Sequence, residues 1–316
     1  MVFIGAHISR QKTFSETINK IIENNGNALQ IFASNPRGSK ITELNKQFFD
    51  IDETKRIINK KKFSIIIHHP YTINIAMPFM INKRSIDIKD CYWIQLIIHE
   101  LKIADLINSY GCIIHCGKYT LNLPDSALII MKQTLDYIID QIKNLNLKSK
   151  IILETSSGQG TELLSNYEDF LNFYNLFNED QKKYIKICID TCHVWAAGYE
   201  LVDIYQITKK NKNLKDIAVI HINNSKNPKN SNLDRHDELT KGYINIDHII
   251  TFIKTMKKNN KNLILILETP NENNLIEEFK LIKNYFFYIN YIYLLKNYYY
   301  YLILMQNNNN MVFDYR

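Results

Sequence analysis

The feature that most constrains the fold of this chain is a series of apolar runs of strand length, separated by longer amphipathic segments. Alternation of this kind is typical of repeated strand–helix units that build a parallel sheet. The runs are Val2–Ile8, Ala28–Phe32, Phe63–His68, Cys112–His115, Lys150–Glu154, Ile185–Asp190, Ile217–Ile222 and Leu263–Glu268. Because a TIM barrel is built from eight such strands, we predict an α/β fold of the (β/α)8 TIM-barrel type.

Several segments between these runs have apolar residues at helical spacing and a polar opposite face, which predicts helices packed outside the barrel. These segments are Ser15–Glu23, Cys91–Asn108, Ser126–Lys143, Tyr167–Phe177, Ile246–Lys257 and Asn274–Ile282. An open, doubly wound sheet would show the same periodicity. Such a sheet usually carries a glycine-rich phosphate loop after its first strand, and this sequence has none there, so the barrel is favoured.

The sequence changes character only near its end. No Gly/Ser-rich linker or break in composition precedes Lys283, so we assign residues 1–283 to one barrel domain. Residues 284–316 form an extension rich in Tyr, Phe, Ile and Leu, whose role the sequence does not indicate. Asn284, Asn290 and Lys296 interrupt its apolar stretch, so we expect the extension to pack against the barrel rather than to span a membrane.

Charge and cysteine content bear on partners and compartment. The net charge of +7 and the pI near 8.9 fit a polyanionic partner, but they fit many other proteins as well. The N-terminus, MVFIGAHISRQK, lacks the features of a secretory signal, so we expect an intracellular protein. The five cysteines lie mostly in or beside apolar runs, which favours buried, reduced thiols over a metal site built from Cys112 and Cys116 or from Cys188 and Cys192.

Side chains that commonly bind metals stand at the ends of the predicted strands. They are His68, His115, Glu154, Asp190, His221 and Glu268. Because the C-terminal ends of barrel strands meet at one face, we expect these side chains to cluster there. Carboxylates brought so close together repel one another unless cations compensate their charge, so the pattern predicts a metal site.

A second group of the same kind follows the sixth and seventh runs. His193 comes three residues after Asp190, and Asp234 and His236 lie in the polar loop after the seventh run. A mixture of imidazoles and carboxylates suits Zn²⁺, with Mn²⁺ or Fe²⁺ as substitutes.

The remaining histidines, which are His7, His69, His99 and His248, are interpreted as ordinary polar residues. His69 should point away from His68 because successive side chains of a strand alternate between its two faces. His99 and His248 fall in helical segments.

Seven motifs occur along the chain in a fixed order. They are His68-His-Pro-Tyr-Thr-Ile-Asn74, His115-Cys-Gly117, Leu153-Glu-Thr155 with Gly158-Gln-Gly160, Ile189-Asp-Thr-Cys-His193 with Ala197-Gly198-Tyr199, His221-Ile-Asn223, Asp234-Arg-His236 and Leu267-Glu-Thr269. In order and spacing this series resembles the endonuclease IV family of apurinic/apyrimidinic endonucleases, from about Met1 to about Lys283.

The resemblance implies three zinc ions. One would be held by His68, His115 and Glu154, and a second by Glu154, Asp190, His221 and Glu268. The third would be held by His193, Asp234 and His236. Glu154 would then bridge two ions, and the resemblance implies that it is the catalytic residue.

The resemblance also implies the reaction and the partner. The family hydrolyses the phosphodiester bond 5′ to an abasic site in double-stranded DNA with a metal-activated hydroxide, leaving a 3′-hydroxyl and a 5′-deoxyribose phosphate, and it removes blocked 3′ ends. Arg37 and Tyr71 match positions that push into the DNA stack, and Lys226 matches a lysine that contacts phosphate. Alternatively, Arg37 is a phosphate contact or a surface charge, and Lys226 is a solvated lysine. We expect a monomer that acts in DNA repair without membrane association.

Two other functions fit parts of the pattern. A sugar isomerase or epimerase on the same barrel would hold metal at the same rim, but it would not need Asp234, His236 or Arg37. A DNA-binding protein that had lost catalysis would usually lack a ligand, and this chain retains every expected one. Thr72 and Asn224, with Thr240, depart from the family pattern, and these departures concern DNA wedging and loop conformation rather than the metal chemistry.

Overall fold

The computed structural model describes residues 3–41, 48–120 and 123–285, and within them eight parallel strands close into a barrel. In chain order the strands are β1 (Phe3–His7), β2 (Ala28–Phe32), β3 (Ser64–His68), β4 (Gly111–His115), β5 (Lys150–Glu154), β6 (Ile185–Asp190), β7 (Ile217–Ile222) and β8 (Ile264–Leu267). Each strand pairs with the next, and β8 pairs with β1. The predicted TIM barrel is confirmed, and the predicted strand bounds are right to within one residue.

Helices surround the barrel. They are α1 (Phe14–Glu23), α2 (Ile51–Lys61), α3 (Tyr92–Leu106), α4 (Pro124–Asn144), α5 (Tyr167–Tyr174), α6 (Thr191–Ala196), α7 (Leu201–Lys210) and α8 (Ile246–Asn259), and residues 275–285 are also helical. Polar caps start some of them: the side chains of Thr13 and Asn166 accept hydrogen bonds from backbone N–H groups in the first turns of α1 and α5. The sequence predicted these helices except α2, α6 and α7.

Strand alternation divides the core into two layers. Ile66 of β3 and Ile152 of β5 pack with the inner cluster of the barrel, whereas Ile65 and Ile67 pack with the larger cluster between strands and helices. The residue two positions after Ile66 or Ile152 lies on the same face of its strand as that isoleucine. The side chains at the ends of these two strands therefore point toward the barrel axis. At Gly5 a Cβ would lie 1.7 Å from the carbonyl oxygen of Ala28, so β1 and β2 approach closely only because this residue is glycine.

Beyond β7 the chain forms a short antiparallel hairpin in which Asn224–Ser225 pairs with His236–Asp237. This hairpin returns the second predicted ligand group to the rim. The predicted aromatic extension lies outside the described residues from residue 286 onward. Within the described ranges, no helix has both the length and the apolar character needed to cross a bilayer.

Candidate metal centre

The carboxylate of Glu154, at the end of β5, lies at the centre of the rim and is 1% exposed. Its Oε2 atom lies 3.5 Å from His68 Nε2 and 3.3 Å from His115 Nε2. Its Oε1 atom lies 2.7 Å from His221 Nδ1 and 3.6 Å from His193 Nδ1. Each carboxylate oxygen therefore faces a different set of imidazoles.

On the Oε1 side, His221 is surrounded by carboxylates. Its Nδ1 atom lies 3.6 Å from Asp190 Oδ2 and 3.3 Å from Glu268 Oε2, in addition to its contact with Glu154. One ligand atom from each of these four residues falls within 4.8 Å of the others, and the same is true of His68, His115 and Glu154 on the other side. These two sets are the ones that the family resemblance implied.

The third set is built by α6 and the hairpin after β7. Asp190 caps α6 by accepting a hydrogen bond from His193 N, which fixes the start of the helix directly at the end of β6. Asp234 lies between two imidazoles: its Oδ2 is 3.3 Å from His193 Nε2, and its Oδ1 is 3.1 Å from His236 Nε2. The same His236 atom is 3.6 Å from Asp190 Oδ2, so the third set adjoins the second.

The donor atoms fit metal ions in number, kind and spacing. Two ligands that bind a tetrahedral zinc at about 2.0–2.1 Å lie roughly 3.3 Å apart. The separations of Glu154 Oε2 from His68 and His115, and of Asp234 from His193 and His236, are 3.1–3.5 Å and so are close to this value. Glu154 Oε2 and His193 Nε2 are buried and make no hydrogen bond with any described residue. Buried polar atoms are normally paired, so each of these two atoms points to a bound cation as its partner.

Electrostatics of the metal-free chain support the same interpretation. Burial would raise the pKa of Glu154, but His115 and His221 outweigh burial and lower the pKa well below its usual range. Burial would lower the pKa of His193, but Asp190 and Asp234 outweigh it and raise the pKa well above its usual range. Both shifts favour a negative carboxylate next to positive groups, which is an arrangement in which a bound cation can take the place of a proton.

The ring orientations of two predicted ligands are set by backbone carbonyls. His68 Nδ1 donates to the carbonyl of His69 at 2.7 Å, and His193 Nδ1 donates to the carbonyl of Thr155 at 2.8 Å. In each case the hydrogen bond holds Nδ1 and turns Nε2 toward the cluster. Such bonds fix the ligand atom before any metal arrives.

Sequence reasoning missed four residues that line or support the cluster. The sequence indicates that His7 is an ordinary polar residue. In the structure it ends β1, and its Nδ1 atom lies 3.2 Å from Glu268 Oε1. Asn223 donates from its side chain to Asp190 Oδ2 at 2.7 Å, and the carbonyl oxygen of Thr155 accepts the bond from His193. Gln30, on β2, is fully buried beside His221. The position of His7 at a strand end was the signal that could have revealed it.

The other predicted bystanders lie outside the cluster. His69 points away from His68 and binds Glu100 Oε2 at 2.5 Å, as strand alternation predicts. His248 lies on α8, 3.8 Å from Glu200.

All five cysteines are free and buried, as predicted. Cys188 and Cys192 lie beside the second and third sets. Burial raises the pKa of each of these two thiols to about 12, which favours their protonated form.

The three residues predicted to contact DNA are found at the same rim. Tyr71 is 62% exposed, and its ring centroid lies 5.7 Å from that of His68 and 6.0 Å from that of His115. Arg37 is exposed on the loop after β2, and the backbone N–H of Lys226 donates to Arg235 O beside the third set. A groove of about 540 Å³, lined by residues that include His7 and Asn35, opens next to these loops.

Two hydrogen bonds join the loops after β2 and β3. Tyr71 N donates to Pro36 O at 3.0 Å, and Thr72 Oγ1 donates to Gly38 O at 2.7 Å. Thr72, a departure from the family pattern, therefore takes part in holding the loop of Arg37 against the loop of Tyr71.

Comparison with known proteins adds family relationships to this geometry. The model of a family described as xylose isomerase-like TIM barrel matches residues 19–285. The probable endonuclease 4 of Mycoplasma capricolum is 32% identical over 279 residues, which cover 85% of this chain and 91% of that protein. The probable endonuclease 4 of Mycoplasmopsis synoviae is 32% identical over 277 residues, which cover 85% and 93%.

Solved structures share the fold. An endonuclease IV from Thermus thermophilus superposes with a TM-score of 0.72 at 18% identity, covering 90% of this chain and 98% of that one. A D-tagatose 3-epimerase-like protein superposes with a TM-score of 0.68, also at 18% identity, covering 92% and 98%. At this level of identity, both likenesses show the barrel alone.

Proposed function

This chain belongs to the endonuclease IV family of apurinic/apyrimidinic endonucleases, and from that premise we propose that it hydrolyses the phosphodiester bond 5′ to an abasic site in duplex DNA. The products are a 3′-hydroxyl and a 5′-deoxyribose phosphate. The observation that carries the proposal is the position of Glu154, whose two carboxylate oxygens face different imidazoles. A third set of His193, Asp234 and His236 lies beside them.

Three divalent ions, with Zn²⁺ as the first choice and Mn²⁺ or Fe²⁺ as substitutes, fit the three sets. One set is His68, His115 and Glu154, the second is Glu154, Asp190, His221 and Glu268, and the third is His193, Asp234 and His236. When bound, such ions make hydroxide available at neutral pH and offset the negative charge that grows on the phosphate as its bond to the 3′-oxygen breaks.

The residues of the chain hold and orient this centre. Glu154 joins two sets and so fixes their separation. The carbonyls of His69 and Thr155 keep the Nε2 atoms of His68 and His193 directed inward. Because the two carbonyls belong to the chain itself, these contacts orient both imidazoles for binding.

The residues of the rim supply recognition in this proposal. Tyr71 and Arg37 stand on adjoining loops above the first set, where side chains can enter the DNA stack at a site that lacks a base. The groove beside His7 offers space to a nucleotide turned out of the helix. Lys226 is exposed, its backbone bonds Arg235 O beside the third set, and in this proposal its side chain contacts a backbone phosphate. Removal of blocked 3′ ends requires cleavage of the same kind of bond and is part of the proposal.

A single assay tests the reaction. Purified protein is incubated with an end-labelled duplex that carries one abasic site, with and without prior removal of metal by a chelator, and an intact duplex of the same sequence is the control. We expect cleavage on the 5′ side that leaves a 3′-hydroxyl, stops after metal removal and returns when zinc is added.

A fully metal-loaded protein that leaves the abasic duplex intact would overturn the proposal. If that same preparation interconverted ketohexose epimers, the sugar-epimerase alternative on the same barrel would replace it.

A further inference from the structure

A buried amide lies directly behind the second ligand set. Gln30 is in the middle of β2 and is 0% exposed. Its Oε1 atom lies 2.8 Å from His221 Nε2. Its Nε2 atom bonds Glu268 Oε1 and lies 3.0 Å from His7 Nδ1. One side chain therefore touches two of the proposed ligands of the same ion.

The chemistry of these contacts fixes which atom donates. An ionised carboxylate only accepts hydrogen bonds, so the NH₂ group of Gln30 must face Glu268. Its carbonyl oxygen then faces His221 and accepts a hydrogen bond from Nε2–H. His221 Nδ1 lies 2.7 Å from Glu154 Oε1, where it donates a hydrogen bond, and it also faces Asp190 and Glu268. A cation bound among these carboxylates would replace the proton on Nδ1, and the ring would keep its other proton on Nε2, facing Gln30.

We propose that Gln30 is a positioning residue that holds the His221 ring so that Nδ1 is the atom offered to metal in the second set. This inference rests on the metal-dependent function proposed above. Second partners of this type orient ligands in metal sites generally, and their removal typically lowers metal affinity by about 10- to 100-fold. Here the partner is a side chain, in contrast to the backbone carbonyls that hold His68 and His193.

Two substitutions separate this role from simple packing. Gln30→Met has a similar shape and removes the acceptor for His221, whereas Gln30→Glu keeps that acceptor but loses the NH₂ group that bonds Glu268. Asn213→Leu is a matched control, because Asn213 is also a buried amide (1% exposed), but it precedes β7 at the opposite end of the barrel and binds Asn175 and Asp216.

The measurements are zinc affinity, from competition with a chelator, and NMR of protein labelled with ¹⁵N in its nine histidines. We expect Gln30→Met to weaken the binding of one zinc equivalent by about 10- to 100-fold and to move the His221 Nε2–H resonance upfield. Gln30→Glu should keep the His221 Nε2–H resonance in place because it keeps the acceptor, although its carboxylate repels Glu268. Asn213→Leu should keep the affinity even where it lowers the melting temperature.

Other results would overturn the inference. Wild-type zinc affinity in Gln30→Met would do so, as would equal upfield shifts of the His221 Nε2–H resonance in Gln30→Met and Gln30→Glu. A loss of affinity in Asn213→Leu equal to that in Gln30→Met would overturn it as well. A wild-type chain that bound no zinc would remove the proposed function itself. A wild-type chain that bound zinc and cut abasic DNA, with Gln30→Met unaffected, would remove only the role of Gln30.

Discussion

Replacement of Glu154 by glutamine tests the central carboxylate with the least change in shape. The substitution removes one negative charge and replaces one of two oxygens by an NH₂ group, which cannot bind a cation. In the native chain Oε2 faces His68 and His115 of the first set, and Oε1 faces His221 of the second set. The substitution therefore weakens two sets at once.

The expected magnitude follows from that double role. Loss of a group that merely supports a ligand typically lowers activity by about 10- to 100-fold. Because Glu154 is shared by two sets, we expect its replacement to lower the cleavage rate by about 10²- to 10⁴-fold. In the barrier for hydrolysis this corresponds to about 3–5.5 kcal/mol. The assay is single-turnover cleavage of the labelled abasic duplex, with metal content measured on the same samples and folding checked by circular dichroism.

Glu278→Gln is the matched control for this experiment. Glu278 is also buried, but its oxygens accept hydrogen bonds from Leu239 N at 3.0 Å and from Thr269 Oγ1 at 2.5 Å. Its glutamine variant should keep its metal and its cleavage rate. Near-native rate and full metal content in Glu154→Gln would refute the bridging argument, as would equal losses of metal in both variants.

Two further predictions concern recognition and pH. Arg37→Ala should reduce the preference for abasic over intact duplex by about 10- to 100-fold at unchanged metal content. Arg56 is an exposed arginine on α2, and Arg56→Ala should leave this preference unchanged. If competition binding showed the same preference in the wild type and in both variants, the role of Arg37 would be contradicted. In the metal-free chain, burial favours neutral His236, but Asp190 and Asp234 outweigh it and raise its pKa from 6.5 to about 9. This shift contributes about 3 kcal/mol to the free energy of unfolding, and the contribution is complete below pH 6.5 and disappears as the pH rises through 9. Urea unfolding of the metal-free chain should therefore show a fall in the free energy of unfolding between these pH values. Loading with zinc should remove that fall. A flat profile without metal would count against the third set.

The strands could be predicted from the sequence because nearly every strand residue is buried, which leaves continuous apolar runs with clear ends. Helices were harder. In α2 only Thr54 and Ile57 are buried, so its apolar stripe is too thin to show in the periodicity. The six-residue α6 is too short for any periodic signal, and its start depends on the cap from Asp190.

The site was predictable where ligand-type residues end strands, as His68 and Glu154 do. Gln30 could not be found in this way because it lies in the middle of β2. The stagger between strands places it opposite His7, the last residue of β1, and so brings it level with the rim. That stagger is a property of the closed barrel and cannot be read from one strand.

The contacts between the loops after β2 and β3 have a consequence for engineering. Since Tyr71 N binds Pro36 O and Thr72 Oγ1 binds Gly38 O, the two loops form one interlocked surface. A graft that replaced the loop after β3 by one without a hydroxyl at position 72 would lose the contact with Gly38 O and leave the two loops joined by the backbone contact alone. We therefore expect that loops exchanged between this chain and a relative keep their geometry best when both loops are moved together.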